Sequence, residues 1–365
     1  MNTKIVTSDG IKLYRKLKRK ERIKELLKPI VRIGVVILSV FLITTLLLLA
    51  IGVNPFEVYT LLLKGALGSK YRIARVLNVW IPLTLCACGL LYTFSLGLWN
   101  IGIEGQIMLG AVGATAAFKW LYPQFPAKYV LMAGFLAAVL FAGIWALLAG
   151  ILKTKGGVNE IFAGLGLNFV AQGLILWLIF GPWKRPGIAS MSGTEPFSRE
   201  LWLSVIRGFK VAPAGLIMAV VFFLFTVFVF KYTRLGLFFK AIGDNPTAGT
   251  LFGISVNRYS LLAMFFAGSA AGMAGFFQTA GVYHRLIPAI SSNYGYLALL
   301  VVMLANFKYW PVPFIAFFFA CLNVGSIQLP MVLKIDSSLS GIIQGLSVLV
   351  FLIVYNFQKL GERKK

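Results

Sequence analysis

The chain is poor in acid, with 11 Asp and Glu against 35 Lys and Arg in 365 residues. It carries one histidine, His284, and three cysteines, Cys86, Cys88 and Cys321. One histidine and scattered acids supply no cluster for hydrolysis. Cys86 and Cys88 are not a Cys-x-x-Cys pair and have no histidine beside them, so neither a metal site nor a disulfide follows. No Gly-x4-Gly-Lys-Ser/Thr segment exists to cradle a nucleotide phosphate. Polar surface is scarce as well. At 59% hydrophobic residues and a mean hydropathy of +0.86, the composition excludes a soluble globule.

What remains is a set of apolar runs, each close to the 20 or so residues that cross hydrocarbon as a helix. The net charge of +24 looks like a nucleic-acid signal. Its placement argues otherwise, since much of it lies in the first 32 residues, in loops and at the C-terminus, as the positive-inside rule requires. No nucleic-acid partner is expected; membrane lipids are. Residues 1–29 combine basic residues with an apolar stripe, which reads as a cytoplasmic amphipathic segment on anionic lipid. The run from Ile33 to Val53 is too long for a signal peptide and reads as a first spanning helix with its N-terminus inside.

Further along, the pattern predicts an interfacial helix within 54–75. Spanning helices follow at about 76–95, 101–120, 129–152, 161–181, 212–230, 259–281, 294–307, 312–331 and 339–357. The fold expected is an all-α polytopic membrane protein of about ten helices with both termini cytoplasmic. Residues 30–358 form the membrane domain and 359–365 a basic tail. The stretch Lys231–Arg258 reads as cytoplasmic. Within it, Asp244-Asn-Pro-Thr247 is a helix-start signal, Asn at a cap and then Pro in the first turn. Gly268 and Gly272, with Ala267, Ala271 and Gly275, suit close helix contact.

One stretch stands apart. In Trp99-Asn-Ile-Gly-Ile-Glu-Gly-Gln106 a charge and two amides interrupt apolar sequence with no hydrophilic loop. Irregular backbone at membrane depth survives only when buried in protein or lining a wet cavity. We therefore expect a broken helix or buried elbow near residues 96–104, with Glu104 in the first turn of the next helix, where a carboxylate suits the positive helix end. An intramembrane carboxylate is a functional candidate. The blander readings are that Asn100 caps the helix and that Glu104 reaches the interface. The polar groups expected at membrane depth, and hence the candidate pathway, are Asn100, Glu104, Gln106, Asn168, Gln172, Asn323 and Gln344. Asn168 and Gln172 share one helix face, where amides also serve as interhelical glue. Asn100-Ile-Gly and Asn293-Tyr-Gly each precede an apolar helix, a hint of the inverted repeats that transporters use.

Three ordered motifs resemble one family. They are Pro82-Leu-Thr-Leu through Gly97-Leu-Trp-Asn-Ile-Gly-Ile-Glu-Gly-Gln-Ile-Met-Leu-Gly-Ala111, Lys155-Gly-Gly-Val-Asn-Glu-Ile161, and Lys240-Ala-Ile-Gly-Asp-Asn-Pro-Thr-Ala-Gly-Thr-Leu-Phe-Gly-Ile254. They are similar to membrane-permease subunits of bacterial ABC importers for nucleosides and simple sugars, relatives of the ribose and branched-chain amino-acid permeases. Ser95 stands where the family usually has a basic residue, and Lys240 and Ala248-Gly249 where it usually has Arg and Ala-Ala. The basic N-terminal arm lies outside the resemblance.

The resemblance implies a permease subunit in the cytoplasmic membrane that is not itself an enzyme and binds no cofactor. ATP-Mg would be hydrolysed on a separate cytoplasmic ABC ATPase. Asn245, Pro246, Thr247, Ala248, Gly249, Leu251 and Gly253 would form the coupling segment in that ATPase's groove. A second, non-identical permease would complete the pathway, and an extracytoplasmic binding lipoprotein would deliver the solute. The NIGIEGQ form leans towards nucleosides, with a simple sugar as the nearest alternative. An ion-coupled secondary transporter would need no coupling segment.

Overall fold

The computed structural model describes residues 41–187, 193–206 and 208–334, together with positions 38–39 and a few isolated helical positions between 341 and 353. The basic N-terminal segment, Gln344, most of the expected last helix and the C-terminal tail lie outside the described residues. Contacts assign the described residues up to 59, with those after 336, to one unit and residues 60–334 to another. In the first, helix α1 (Phe41–Ala50) is tied to the chain beyond it by a hydrogen bond of 3.0 Å between the Thr45 and Tyr59 hydroxyls.

The described residues are helical, with no strand among them. After α1 come α2 (Pro55–Leu67), α3 (Lys70–Phe94), α4 (Ile103–Leu121), α5 (Ala127–Thr154), α6 (Glu160–Phe180) and α7 (Pro213–Tyr232). They are followed by α8 (Arg234–Asp244), α9 (Pro246–Leu251), α10 (Val256–Phe277), α11 (Tyr294–Leu304), α12 (Val312–Ser326) and α13 (Gln328–Leu333). Six of these elements are long and apolar enough to cross a membrane: α3, α5, α6, α7, α10 with its extension to Tyr283, and α12 with α13. Counting α1 and α2 as one bent span gives seven. The molecule is a multi-pass helical membrane protein.

Three differences from the sequence pattern have physical causes. The helix expected from 76 starts at Lys70, because Ser69 caps it by accepting the Arg72 N–H at 3.3 Å. The Arg72 guanidinium donates back to the Lys64 carbonyl at 2.6 Å, so the early charge has a partner. The helix expected over 294–307 ends at Leu304, and its 11 residues rise about 16 Å, half of a hydrocarbon core of about 30 Å. Lastly, α8 was not marked by the pattern, although Leu235, Phe239 and Ile242 fall on one face. Thr233 caps it, accepting the Gly236 N–H at 3.3 Å. Phe239, fully buried, anchors it edge-on to Tyr92 at the centre of an aromatic cluster from α3, α7 and α10.

Within residues 60–334 the packing repeats. Helix α10 packs on α3, α4 and α5, while α3 packs on α10, α11 and α12; α4 meets α5 as α11 meets α12, and α4 meets α11. Exchanging α3–α5 with α10–α12 therefore reproduces the same neighbours. The two halves run in opposite senses. Helix α3 begins beside the end of α10 and ends beside α8, where a Cβ on Gly243 would overlap the Ser95 carbonyl. Small residues make the central contacts possible. A Cβ on Gly110 would lie 2.6 Å from the Gly272 Cα, so α4 and α10 touch backbone to backbone.

Candidate functional site

The elbow is buried. Helix α3 ends at Ser95, Gly97 takes φ +77°, and the chain turns back to start α4 at Ile103. Asn100, Glu104 and Gln106 are 1%, 2% and 1% exposed. Asn100 does not cap α4, whose N-cap is Gly102 without a side-chain hydrogen bond. It pairs instead with Gln106: the Asn100 amide donates to Gln106 Oε1 at 3.1 Å, and the Gln106 amide donates to Asn100 Oδ1 at 2.9 Å. Each amide thus satisfies the other where water is excluded.

Glu104 closes the gap between two helix ends. It lies in the first turn of α4, and its Oε2 accepts the Gly295 N–H at 2.8 Å, at the start of α11. Ser291 and the N–H groups of Asn293 and Tyr296 also face the carboxylate. Two positive helix ends therefore converge on one negative charge. In many transporters that arrangement receives an anionic solute. Here the anion is a residue of the chain. A Cβ on Gly295 would lie 2.5 Å from Glu104 Oε2 and 2.8 Å from its backbone nitrogen, so only glycine permits this approach.

Helix α6 staples both breaks. Asn168 Oδ1 accepts the Gly105 N–H at 2.8 Å, and its Nδ2 donates to the Ile101 carbonyl at 3.0 Å and to the Tyr296 hydroxyl at 3.3 Å. One turn on, Gln172 donates to the Pro288 carbonyl at 3.3 Å. The helix is itself held at its start. Asn159 accepts the Ile161 N–H, and Lys153 on α5 pairs with Glu160 at 2.7 Å. Of the expected pathway residues, the structure thus gathers Asn100, Glu104, Gln106, Asn168 and Gln172 around the two breaks. Asn323 lies half-buried on α12, and no hydrogen bond joins it to this group among the described residues. Gln344 lies outside the described residues.

Two cavities occupy opposite ends of α3, which is about 37 Å long at 1.5 Å per residue. The smaller, about 440 Å³, lies beside α8 and includes Ser95, Lys240, Asp244, Lys308 and Trp310. Next to it, α9 forms as the sequence signal asks. Asn245 accepts the Ala248 N–H at 3.0 Å, Pro246 opens the helix, and Gly253 turns the chain out at φ +77°. Leu251 and Phe252 are 84% and 85% exposed at its tip.

The larger cavity, about 770 Å³, was not read from the sequence. It is a vestibule lined by Tyr71, Arg75 and Asn78 of α3, by Trp202 and Lys210 before α7, and by His284. Beyond Phe277, α10 widens into a π-helix, Gln278–Tyr283, a form frequent at functional sites. The segment 194–203 is strapped to it: Thr194 N–H donates to the Leu286 carbonyl, Phe197 N–H to His284 and Leu203 N–H to Ala280. Trp202 is set by its indole N–H on the Phe197 carbonyl at 2.9 Å and stacks on His284 at 3.9 Å and 9°. The His284 Nδ1–H donates to the Ala280 carbonyl at 3.0 Å, and burial pushes the imidazole below its ordinary pKa. Trp202 and His284 are far apart in sequence, and no spacing rule links them.

Residues 72–353 match the family described as branched-chain amino acid transport system / permease component. The chain belongs to that family. It is 31% identical over 322 residues to the glucose ABC transporter permease protein TsgB13 of Haloferax volcanii, covering 86% of this chain and 84% of the relative. It is 27% identical to the nucleoside ABC transporter permease protein NupB of Lactococcus lactis, covering 78% and 80%. It is 24% identical to the guanosine ABC transporter permease protein NupP of Bacillus subtilis, covering 94% and 98%. The relatives are permease subunits rather than enzymes, and the family match spans all three motifs.

Proposed function

We propose that this permease forms the membrane pathway of an ATP-driven importer of nucleosides in the cytoplasmic membrane. The observation that carries the coupling part is α9. A helix of six residues with two nearly bare apolar side chains, Leu251 and Phe252, is a knob that needs a groove. A cytoplasmic ATPase subunit that binds ATP-Mg supplies that groove, since the chain has no phosphate-binding loop of its own. The contact of Gly243 with Ser95 would then carry motion of the knob to the end of α3 and the elbow. A second, non-identical permease and an extracytoplasmic binding lipoprotein complete the assembly.

The nucleoside reading rests on the Asn100–Gln106 motif and on the nucleoside and guanosine permeases among the relatives. A simple sugar is the second reading, favoured by the similarity to a glucose permease. Uptake of labelled nucleosides and glucose by cells with and without the chain separates them.

Coupling is tested by Ala248→Glu, which sets a carboxylate where α9 would meet the ATPase. Solute uptake should fall at least tenfold while the protein stays inserted; normal uptake with normal ATPase co-purification refutes the coupling role. Sidedness is tested by cysteines at two exposed sites. An impermeant thiol reagent on intact protoplasts should label Ser198→Cys and spare Thr247→Cys.

A further inference from the structure

We infer that the vestibule at the start of α3 is a binding site for a flat, acceptor-bearing heterocycle, so that the permease itself, and not only a delivering protein, reads the ring of its solute. This inference rests on the nucleoside reading above.

Three observations converge on the site. First, its walls carry flat faces: Tyr71, and the stacked pair Trp202 and His284. A planar ring is held by such faces whatever its edge pattern. Second, Arg75 and Lys210 line the cavity, and no acid is among its described lining residues. Lys210 sits at φ +49° with its ammonium 5.5 Å from the Tyr71 ring, so aromatic face and cation are presented together. These cations stand at the end of α3 opposite α8 and α9, where the positive-inside rule asks for none. Third, Asn78 donates to the Lys210 carbonyl at 3.3 Å while its Oδ1 is buried without a hydrogen-bond partner. An unpaired buried amide oxygen is costly, and it is kept where a ligand or a change of state completes it.

The chemistry sorts the candidate solutes. Ring nitrogens and carbonyls of a nucleobase accept from Arg75 and Lys210, and its N–H groups donate to Asn78. A hexose can lay its C–H face on such rings, but its many hydroxyl donors find no carboxylate among the described lining residues. A cationic solute meets repulsion. The elbow offers neither cations nor an open aromatic wall, and its amides are already paired within the chain.

The test uses the full chain purified with its co-purifying partners and 8-azidoadenosine as the photoprobe. Light should attach the probe to peptides containing Tyr71 or Trp202. Unlabelled adenosine should compete, and glucose at the same concentration should not. Trp202→Ala should lower labelling at least fivefold. Trp202 also anchors its own loop, so the exposed pair Arg75→Gln with Lys210→Gln provides the second arm. That variant should keep the thermal midpoint and still lose labelling at least threefold.

Labelling elsewhere, equal competition by glucose, or undiminished labelling in the double variant overturns the inference. If cells import nucleosides while labelling spares the vestibule, the importer reading stands and this one falls. If cells import glucose and no nucleoside, the nucleoside reading falls and takes this one with it.

Discussion

The elbow and the vestibule are both polar places in an apolar molecule, and they differ in where their hydrogen bonds end. At the elbow the amides of Asn100 and Gln106 face each other, Asn168 serves Gly105, Ile101 and Tyr296, and Glu104 holds the start of α11. At the vestibule Asn78 has a buried oxygen without a partner, and two cations face a cavity with no acid among its described lining residues. The comparison teaches that burial of a polar residue at membrane depth does not by itself mark a pathway. Amides that pair with each other work as a brace, and the one open elbow atom, Glu104 Oε1, sits between two helix starts; an open amide oxygen beside two cations and a cavity can take a solute. Substitutions in the two regions should accordingly fail in different ways.

The largest effect is expected where the two halves of the repeat touch. Gly295→Val puts side-chain carbon onto the Glu104 carboxylate and backbone, and Glu104→Leu leaves the convergent helix ends without their anion. Either should cut the yield of folded protein more than tenfold in detergent. Glu104→Gln keeps an oxygen for the Gly295 N–H and should retain most of the yield. An inserted, stable Glu104→Leu protein with uptake alone abolished would instead make this charge part of the pathway.

Asn168→Leu comes next. It orphans the Gly105 N–H and the Ile101 carbonyl; one buried unpaired group costs about 1–3 kcal/mol. Its thermal midpoint should drop by several degrees, read from light scattering on heating the detergent-solubilised protein.

A double variant then sharpens the comparison. Asn100→Leu alone strands the Gln106 amide at a cost of about 1–3 kcal/mol, while Asn100→Leu with Gln106→Leu removes both partners and should recover much of the loss. If the double variant is stable and transports normally, the pair is a brace. A stable double variant that does not transport places Asn100 on the pathway.

The smallest effect concerns His284. Burial lowers its pKa, so the imidazole is neutral in the fold at pH 7 and above, and stability there is insensitive to it. As pH falls from the ordinary histidine value through the lowered one, the unfolded chain takes the proton first and stability is lost. The loss is read as a fall in thermal midpoint between pH 7.5 and 5.5, which His284→Phe should abolish while keeping the stack on Trp202.

Much of the elbow was legible beforehand. A charge and two amides in apolar sequence with no loop around them force the backbone to turn inside protein, and Asn168 and Gln172 were readable as one face of one helix. The start of α9 was legible for the same local reason, since an Asn cap and a Pro in the first turn act within four residues. Helix α8 was hidden by its charges, although Leu235, Phe239 and Ile242 carry a helical period. The early start of α3 was hidden because Arg72 and Arg75 look like interfacial residues until the fold sets Arg72 on the Lys64 carbonyl and Arg75 at the wall of a cavity.

By itself the sequence determined the class, the approximate bounds of most of the described helices and the position of the elbow. Hydrocarbon length, charge placement and capping are properties of segments of about 20 residues or fewer. The tertiary structure alone decided that Glu104 ends on Gly295, 191 residues away, and that Asn100 turns to Gln106 rather than to a helix end. It alone brought Tyr71, Trp202, Lys210 and His284 to one cavity. No local preference specifies such meetings. They follow from α3 and α10 packing antiparallel through small residues, which sets the depth of each break and the groups that face it.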